Sequence, residues 1–420
     1  MHEGKMVKNA GWLLVLQGVN ILLPFVTVPY VTRALGAESY GIFSIALNYA
    51  TYFQLVIEYG FDLSAAKKAV EVNTRGRLCR LATHVVTARL LLLALCLSIT
   101  IILALANVVK GELLLCLLVL FTMLLGYAVQ LNWLFMGLQD MKVITISTAI
   151  ARSASVVLIF MMVSDSSHLV LYSLLYSVTF VLSGILTHLF AWRRHGIHIS
   201  APSLKGVVEE MRDGMPIFLS SATAKIISNV GVTVLSACRS ASIVGSYAAV
   251  LKIPQMISMM FTPISQALYP RVNEVRMSSP RAAAKLVVRI AAPVAGAFAI
   301  GLAIMAAARG PIVSLVFGTE YLECSDALIP LAVWVLLGIV NNFMGIQLLI
   351  PFGYQRLYST LIILDSILSL ILNVSLGPEF GAMGVASAVA ISEFFLSVAL
   401  AIALLHVWHE KHKKNEGVSK

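Results

Sequence analysis

The chain has 420 residues, of which 59% are hydrophobic and 12% charged, and its mean hydropathy is +0.90. A soluble domain carries roughly a quarter charged residues, so this composition excludes a large soluble domain and leaves lipid as the solvent for the excess apolar surface. The net charge of +10 does not point to nucleic acid, because the basic residues lie between apolar runs and not on one soluble face; they suit loops that meet anionic lipid.

A membrane-spanning helix needs about 20 predominantly apolar residues. That rule predicts an all-α polytopic membrane protein with twelve transmembrane helices. The first six lie at 11–33, 41–61, 81–106, 113–137, 143–163 and 168–192, and the second six at 214–237, 246–269, 286–308, 326–350, 357–377 and 381–406. The first run is too long for a signal-peptide core and lacks a cleavage site, so it reads as an uncleaved first helix.

Direction follows from Lys and Arg. One side holds the N-terminal tail, the 62–80 loop (Lys67, Lys68, Arg75, Arg77, Arg80), Lys142, the 193–213 loop, the 271–289 cluster, Arg356 and the C-terminal tail. That side carries 22 of the 30 Lys and Arg, the opposite side only Arg33, Lys110, Arg239 and Arg309. The positive-inside rule puts the first side, with both termini, in the cytoplasm of a bacterial inner-membrane protein.

The expected organisation is an N-terminal six-helix bundle over 1–192, a cytoplasmic linker over 193–213, a C-terminal six-helix bundle over 214–406 and a cytoplasmic tail over 407–420. Gly41 and Phe43 recur as Gly245 and Tyr247, each pair opening the second span of its half. Two six-helix bundles around a central cavity is the natural architecture for a transporter built by duplication.

Ionisable groups at bilayer depth are expensive and face a cavity or a partner. The basic ones are Arg89, Arg152, Lys225 and Lys252, and the acidic ones Glu58, Asp62, Asp365 and Glu393. A cavity that accepts an anion would use the basic set, with Arg33 at the outer end of the first span as a further candidate, through charge and bidentate hydrogen bonding. Internal pairing and snorkelling are the competing readings. Glu58 and Asp62, near the inner mouth, suit either proton carriage or pairing with Lys67. Polar and aromatic residues such as Gln17, Asn20, Tyr127, Asn132 and Tyr247 are candidates for sugar recognition or ordinary interhelical bonds. Pro24, Pro29, Pro254 and Pro263 inside spans permit either static kinks or a gate.

Five cysteines (Cys79, Cys96, Cys116, Cys238, Cys324) lack ligand spacing and read as small buried hydrophobes. No nucleophile elbow or HExxH is present, the Gly-rich stretch 377–384 follows a helix and not a strand, and the histidines are scattered. The expectation is a transporter without a cofactor or metal, driven by an ion gradient or by the substrate gradient.

Seven segments in order carry a family resemblance: LLPFVTVPYVTRALGAESYGIFS (22–44), VIEYGFDLSAAKKAVE (56–71), NWLFMGLQDMKVITIS (132–147), PISQALYPRVNE (263–274), VFGTEY (316–321), NNFMGIQLLIPFGYQRLYS (341–359) and GPEFGAMGVASAVAISE (377–393). Together they resemble the O-antigen flippases of the multidrug/oligosaccharidyl-lipid/polysaccharide exporter (MOP) superfamily, over nearly the whole chain. The resemblance implies a twelve-helix fold with pseudo-twofold-related halves and a cavity open alternately to each side. It implies a cargo as well: an undecaprenyl-diphosphate-linked oligosaccharide repeat unit, turned from the cytoplasmic to the periplasmic leaflet for lipopolysaccharide O-antigen. An O-antigen polymerase and a chain-length regulator would act downstream as partners, beside the membrane lipids. Arg33, Glu58 and Asp62 fall inside matched motifs; Arg89, Arg152, Lys225 and Lys252 do not.

The same motifs serve flippases for capsule, exopolysaccharide or common-antigen units. An ion-coupled drug exporter of the superfamily is a rival on charge, and a membrane polysaccharide polymerase is a weaker one, because it would want a long catalytic outer loop and the longest here is 309–325.

Overall fold

The computed structural model describes the backbone of residues 2–72 and 74–418, and the side chains of 8, 9, 11–72, 74–219 and 229–407. Every element among the described residues is helical. With no water to satisfy an exposed backbone, a lipid-embedded chain closes its hydrogen bonds within each helix. Buried hydroxyls follow the same rule: Thr27, Thr32, Thr83 and Thr100 each donate back one turn to a carbonyl of their own helix. Large apolar side chains cover the outside; Leu105, Met161 and Leu315 are each more than three-quarters exposed, an arrangement that water would not tolerate. Nine segments among the described residues are long and apolar enough to cross a membrane.

The helices in chain order are α1 (His2–Glu58), α2 (Phe61–Glu71), α3 (Arg75–Leu105), α4 (Gly111–Val129), α5 (Asn132–Gly137), α6 (Met141–Met162), α7 (Leu169–His195) and α8 (Leu204–Ser228). Then come α9 (Val230–Cys238), α10 (Ala241–Ser278), α11 (Pro280–Ala307), α12 (Arg309–Val316), α13 (Leu328–Met344) and α14 (Gln355–Val418). Two of them hide a break. Gly36 in α1 has φ 72°, ψ 169° and Gly381 in α14 has φ 59°, ψ −134°, backbone angles that a side chain opposes and glycine permits. The 309–325 connection is partly helical, holding α12 and a 3₁₀ segment over Thr319–Ala327.

The chain forms two compact units, residues 1–229 and 230–420. The division falls at the interruption between α8 and α9, so α8 packs with the first unit. In that unit, Thr145 donates to the Trp12 carbonyl and Tyr30 to the Val163 carbonyl, which makes the first half of α1 run parallel to α6. Helix α7 lies parallel to α4: Cys116 Sγ meets Ser173 Oγ at 3.0 Å and Gln130 Nε2 donates to Ser183 Oγ at 2.7 Å. Gly126 lets these two backbones touch, since a Cβ there would lie 2.5 Å from the main chain of Phe180 and Val181.

The second unit repeats the pattern by itself. Gly231 faces Asn373 and Arg239 donates to the Pro378 carbonyl, so α9 runs parallel to the first half of α14. Asn341 meets Glu393, and further along Leu349 packs with Leu396 and Leu400, so α13 runs parallel to the second half of α14.

The run 113–137, expected as one span, is interrupted after Val129, where Gln130 and Leu131 leave the helix before α5 begins. The freed backbone groups find partners: Leu131 N–H bonds Thr187 Oγ1, and the Gln130 and Tyr127 carbonyls bond Arg89. The run 214–237 is likewise broken at Asn229.

Candidate functional site

Each unit holds polar chemistry that its apolar helices would be expected to lack. In the first unit, Asn20 of α1, Tyr127 and Gln130 at the end of α4, Asn132 of α5, Arg152 of α6 and Ser183 of α7 surround a cavity of about 180 Å³. The cavity exists because α4 breaks there: the interruption turns Gln130 and Asn132 toward α6 and α7 instead of continuing one apolar cylinder. Among the described residues Arg152 forms no hydrogen bond and no ion pair.

Arg89 lies beside this cavity's wall but is engaged elsewhere. Its side chain is 3% exposed; Nη2 donates to Asp62 Oδ1 at 2.7 Å, and Nη1 to the carbonyls of Gln130 (3.1 Å) and Tyr127 (3.3 Å). One guanidinium thus closes the α4 break and ties it to α2. Asp62 pairs with Arg89 and not with Lys67. Glu58 accepts from Gln54 at 2.6 Å. Lys68 holds α2 to α8 through Glu210 (2.8 Å) and Asp213 (2.6 Å), and Tyr59 stacks on Phe218 beside it. The close approach of Gly60 to the Gly214 carbonyl completes that contact, and the αL backbone of Gly60 (φ 75°) needs glycine in any case.

In the second unit a larger cavity, about 710 Å³, is bounded by α10, α13 and α14; Gln266, Tyr269, Trp334, Asn342, Tyr358 and Glu393 supply its polar and aromatic groups. Glu393 accepts from Asn341 Nδ2 at 2.8 Å and lies within electrostatic reach of Asp365. Asn342 and Gln347 share Ser265 across α10. Lys252, on the same α10, is half-buried and forms no bond among the described residues. Arg33 is exposed. The side chain of Lys225 lies outside the described residues.

The structure therefore brings Asn20, Tyr127, Asn132 and Arg152 together, and separately joins Glu393 with Asp365; Tyr247 is buried away from both cavities. Sequence reading passed over Asn341, Asn342, Gln347 and Trp334. Their signal was available as three amides within seven residues of an otherwise apolar run. The five cysteines are free thiols, four buried and Cys238 half-buried.

Comparison with known proteins follows the same lines. Two curated relatives, each named "Putative O-antigen transporter", align along nearly the whole chain. The one from Shigella dysenteriae is 24% identical over 401 residues, covering 95% of this chain and 99% of its own. The one from Escherichia coli (strain K12) is 26% identical over 387 residues, covering 90% and 92%. Among solved structures, the lipid II flippase MurJ in its inward closed conformation superposes with a TM-score of 0.73 at 11% identity, covering 95% of this chain and 87% of that one. An inward-facing multidrug resistance MATE transporter of the MOP superfamily gives 0.65 at 16% identity, covering 93% and 95%. Residues 6–275 match the family model described as polysaccharide biosynthesis protein; with nearly two-thirds of its length inside that model and the fold of MOP transporters throughout, the chain belongs to the polysaccharide biosynthesis protein family.

Proposed function

We propose that this protein is a flippase, not an enzyme, for undecaprenyl-diphosphate-linked O-antigen repeat units. It carries them by alternating access from the cytoplasmic to the periplasmic leaflet of the bacterial inner membrane, ahead of lipopolysaccharide assembly. The observation that carries the reading is the pair of cations, Arg152 and Lys252, that form no hydrogen bond or ion pair among the described residues and are set deep in the helices of a polysaccharide-family transporter. A sugar diphosphate cannot cross hydrocarbon unaided, and such cations offer it charge inside the membrane while the isoprenoid tail stays in lipid. Lys225, Lys252, Arg33 and Arg152 are the proposed diphosphate ligands.

The membrane topology in this reading is twelve spans. The breaks at Gly36 and Gly381 divide the first and last of the nine apolar segments, and α8 with α9 supplies the twelfth. An even count puts both termini on one side, and the Lys/Arg bias makes it the cytoplasmic one. The repeat is six and six, with 193–213 as linker; the like-for-like parallel pairs, α1 with α6 and α9 with α14, support it. Downstream, an O-antigen polymerase and chain-length regulator would take over the product.

Deleting the gene is expected to abolish surface glycan and leave lipid-linked units inside. A double Lys225→Ala, Lys252→Ala protein should insert normally yet fail to restore display. Wild-type display from that variant would overturn the ligand assignment, and unchanged display in the deletion strain would overturn the function.

Ion coupling is assigned in the same reading to Glu393 with Asp365, and to Glu58 with Asp62. In vesicles, collapsing the pH and sodium gradients should slow wild-type transport several-fold, and Glu393→Gln should remove that dependence. Transport indifferent to both gradients would refute coupling. The aromatic groups around Glu393 favour a second reading, export of organic cations; increased drug sensitivity of the deletion strain, with intact glycan display, would select it.

A further inference from the structure

The ends of two apolar segments, Gly11–Glu71 and Arg75–Leu105, meet the start of α8 around a cavity of about 650 Å³. Segment ends lie where hydrocarbon gives way to water, so this cavity sits at the membrane boundary. Its volume is within the roughly 300–1,000 Å³ of small-molecule sites. Its frame is fastened from within. Lys68 of α2 donates to Glu210 and Asp213 of α8. The Ser203 N–H donates to His84 Nε2, and Gly206 presses so closely on that ring that a Cβ would come within 2.0 Å of it.

Five other charged side chains line the cavity and stay outside that frame. Arg77 and Arg80 come from the first two turns of α3, Lys205 and Glu209 from the first two turns of α8, and Glu71 ends α2. None of these five side chains forms a hydrogen bond or ion pair among the described residues, so neither sign neutralises the other. Apolar side chains beside them face outward: Val70 is 61% exposed, Leu204 79% and Val208 56%. Leu204 and Val208 lie one turn apart on one face of α8, each next in sequence to a charged lining residue.

Cations alone at this boundary would suit any anionic lipid surface. Two carboxylates in the same wall oppose a purely anionic headgroup and supply acceptors for an ammonium. The combination calls for a phosphate and an ammonium a few bonds apart, on a molecule whose apolar part can follow the strip on α8. We propose that this cavity holds the headgroup of an amine-bearing phospholipid. Arg77, Arg80 and Lys205 take the phosphate, Glu71 and Glu209 take the ammonium, and the acyl chains lie along Leu204 and Val208. Three helices build the site, so the lipid is a ligand of the folded first unit. The site uses none of the residues assigned to cargo or coupling, and it stands apart from the flippase reading.

The test uses the full-length protein in detergent. Phosphatidylethanolamine, phosphatidylglycerol and phosphatidylcholine with identical acyl chains are titrated in, and bound lipid is counted by native mass spectrometry. The glycerol headgroup has the phosphate without the ammonium, and choline has the charge without an N–H to donate. Wild type should retain one phosphatidylethanolamine at about 10-fold lower concentration than either other lipid. The double variant R77Q/R80Q should weaken that binding about 10-fold, and E71Q/E209Q should erase the preference over phosphatidylglycerol. Single K205Q and E71Q proteins carry the test, with smaller losses of the same kind, if a double variant does not fold. R281Q/K285Q, which removes two exposed cations of α11 in the second unit, should match wild type. Equal retention of the three lipids by wild type, tighter binding of phosphatidylglycerol, or a preference unmoved in both lining variants overturns the proposal. Displacement of the lipid by an equal concentration of soluble phosphoethanolamine would overturn the lipid as occupant.

Discussion

An Arg89→Met protein is expected to insert into the membrane but to unfold more readily, by about 2–4 kcal/mol. The guanidinium makes three bonds from a nearly dry position: one to Asp62 and two to carbonyls where α4 breaks. Methionine fills the volume and makes none of them. A buried acceptor left unpaired costs about 1–3 kcal/mol. Both carbonyls lose their donor, while Asp62, half-exposed at 48%, regains water and adds little. That is why the figure falls below the roughly 3–5 kcal/mol of a fully buried broken pair. Unfolding of purified protein in mixed micelles, followed by circular dichroism, gives the measurement. Asp62→Asn should cost much less than Arg89→Met, since the carbonyl bonds survive it. Stability within about 0.5 kcal/mol of wild type for Arg89→Met would mean that the α4 break is held by other groups.

The second large effect is expected at Gly126. A Cβ at this position would come within 2.5 Å of the Phe180 carbonyl carbon and the Val181 nitrogen, and Gly184 on α7 approaches the Gly126 carbonyl in return. Small residues let membrane helices approach closely, and here the obstruction is main chain, which cannot rotate aside. Gly126→Ala should cost about 1–3 kcal/mol through forced separation of the helices, and Gly126→Val should largely abolish recovery of monodisperse protein. Gly296 on α11 provides the contrast. Nothing lies within 4 Å of a Cβ there, so Gly296→Ala should be neutral or slightly stabilising, as the helix propensity of alanine predicts. Similar recovery and melting of the Gly126 and Gly296 variants would show that the α4–α7 contact is looser than described.

The candidate site was legible in parts. Asn20, Tyr127, Asn132 and Arg152 stood out singly as polar groups in apolar runs, but they lie on four helices, and no spacing rule links Asn20 to residues more than 100 positions away. Arg89 looked equivalent to Arg152 by burial and charge. Their difference comes from the α4 interruption, which supplies carbonyls to Arg89 and a cavity to Arg152. That interruption has no proline and no run of breakers to announce it; the only cue is the polar pair Gln130 and Asn132 about Leu131.

What the sequence determined by itself is the solvent, the secondary structure and the family. Twenty-residue apolar runs can only be helices in lipid, because no other segment satisfies its own backbone there, and the order of motifs marks the fold. Tertiary structure alone decided which of the described ionisable groups are bound into ion pairs and hydrogen bonds. Whether a buried charge fastens helices together depends on acceptors from distant helices, such as Asp62 for Arg89, whereas Arg152 forms no hydrogen bond or ion pair among the described residues.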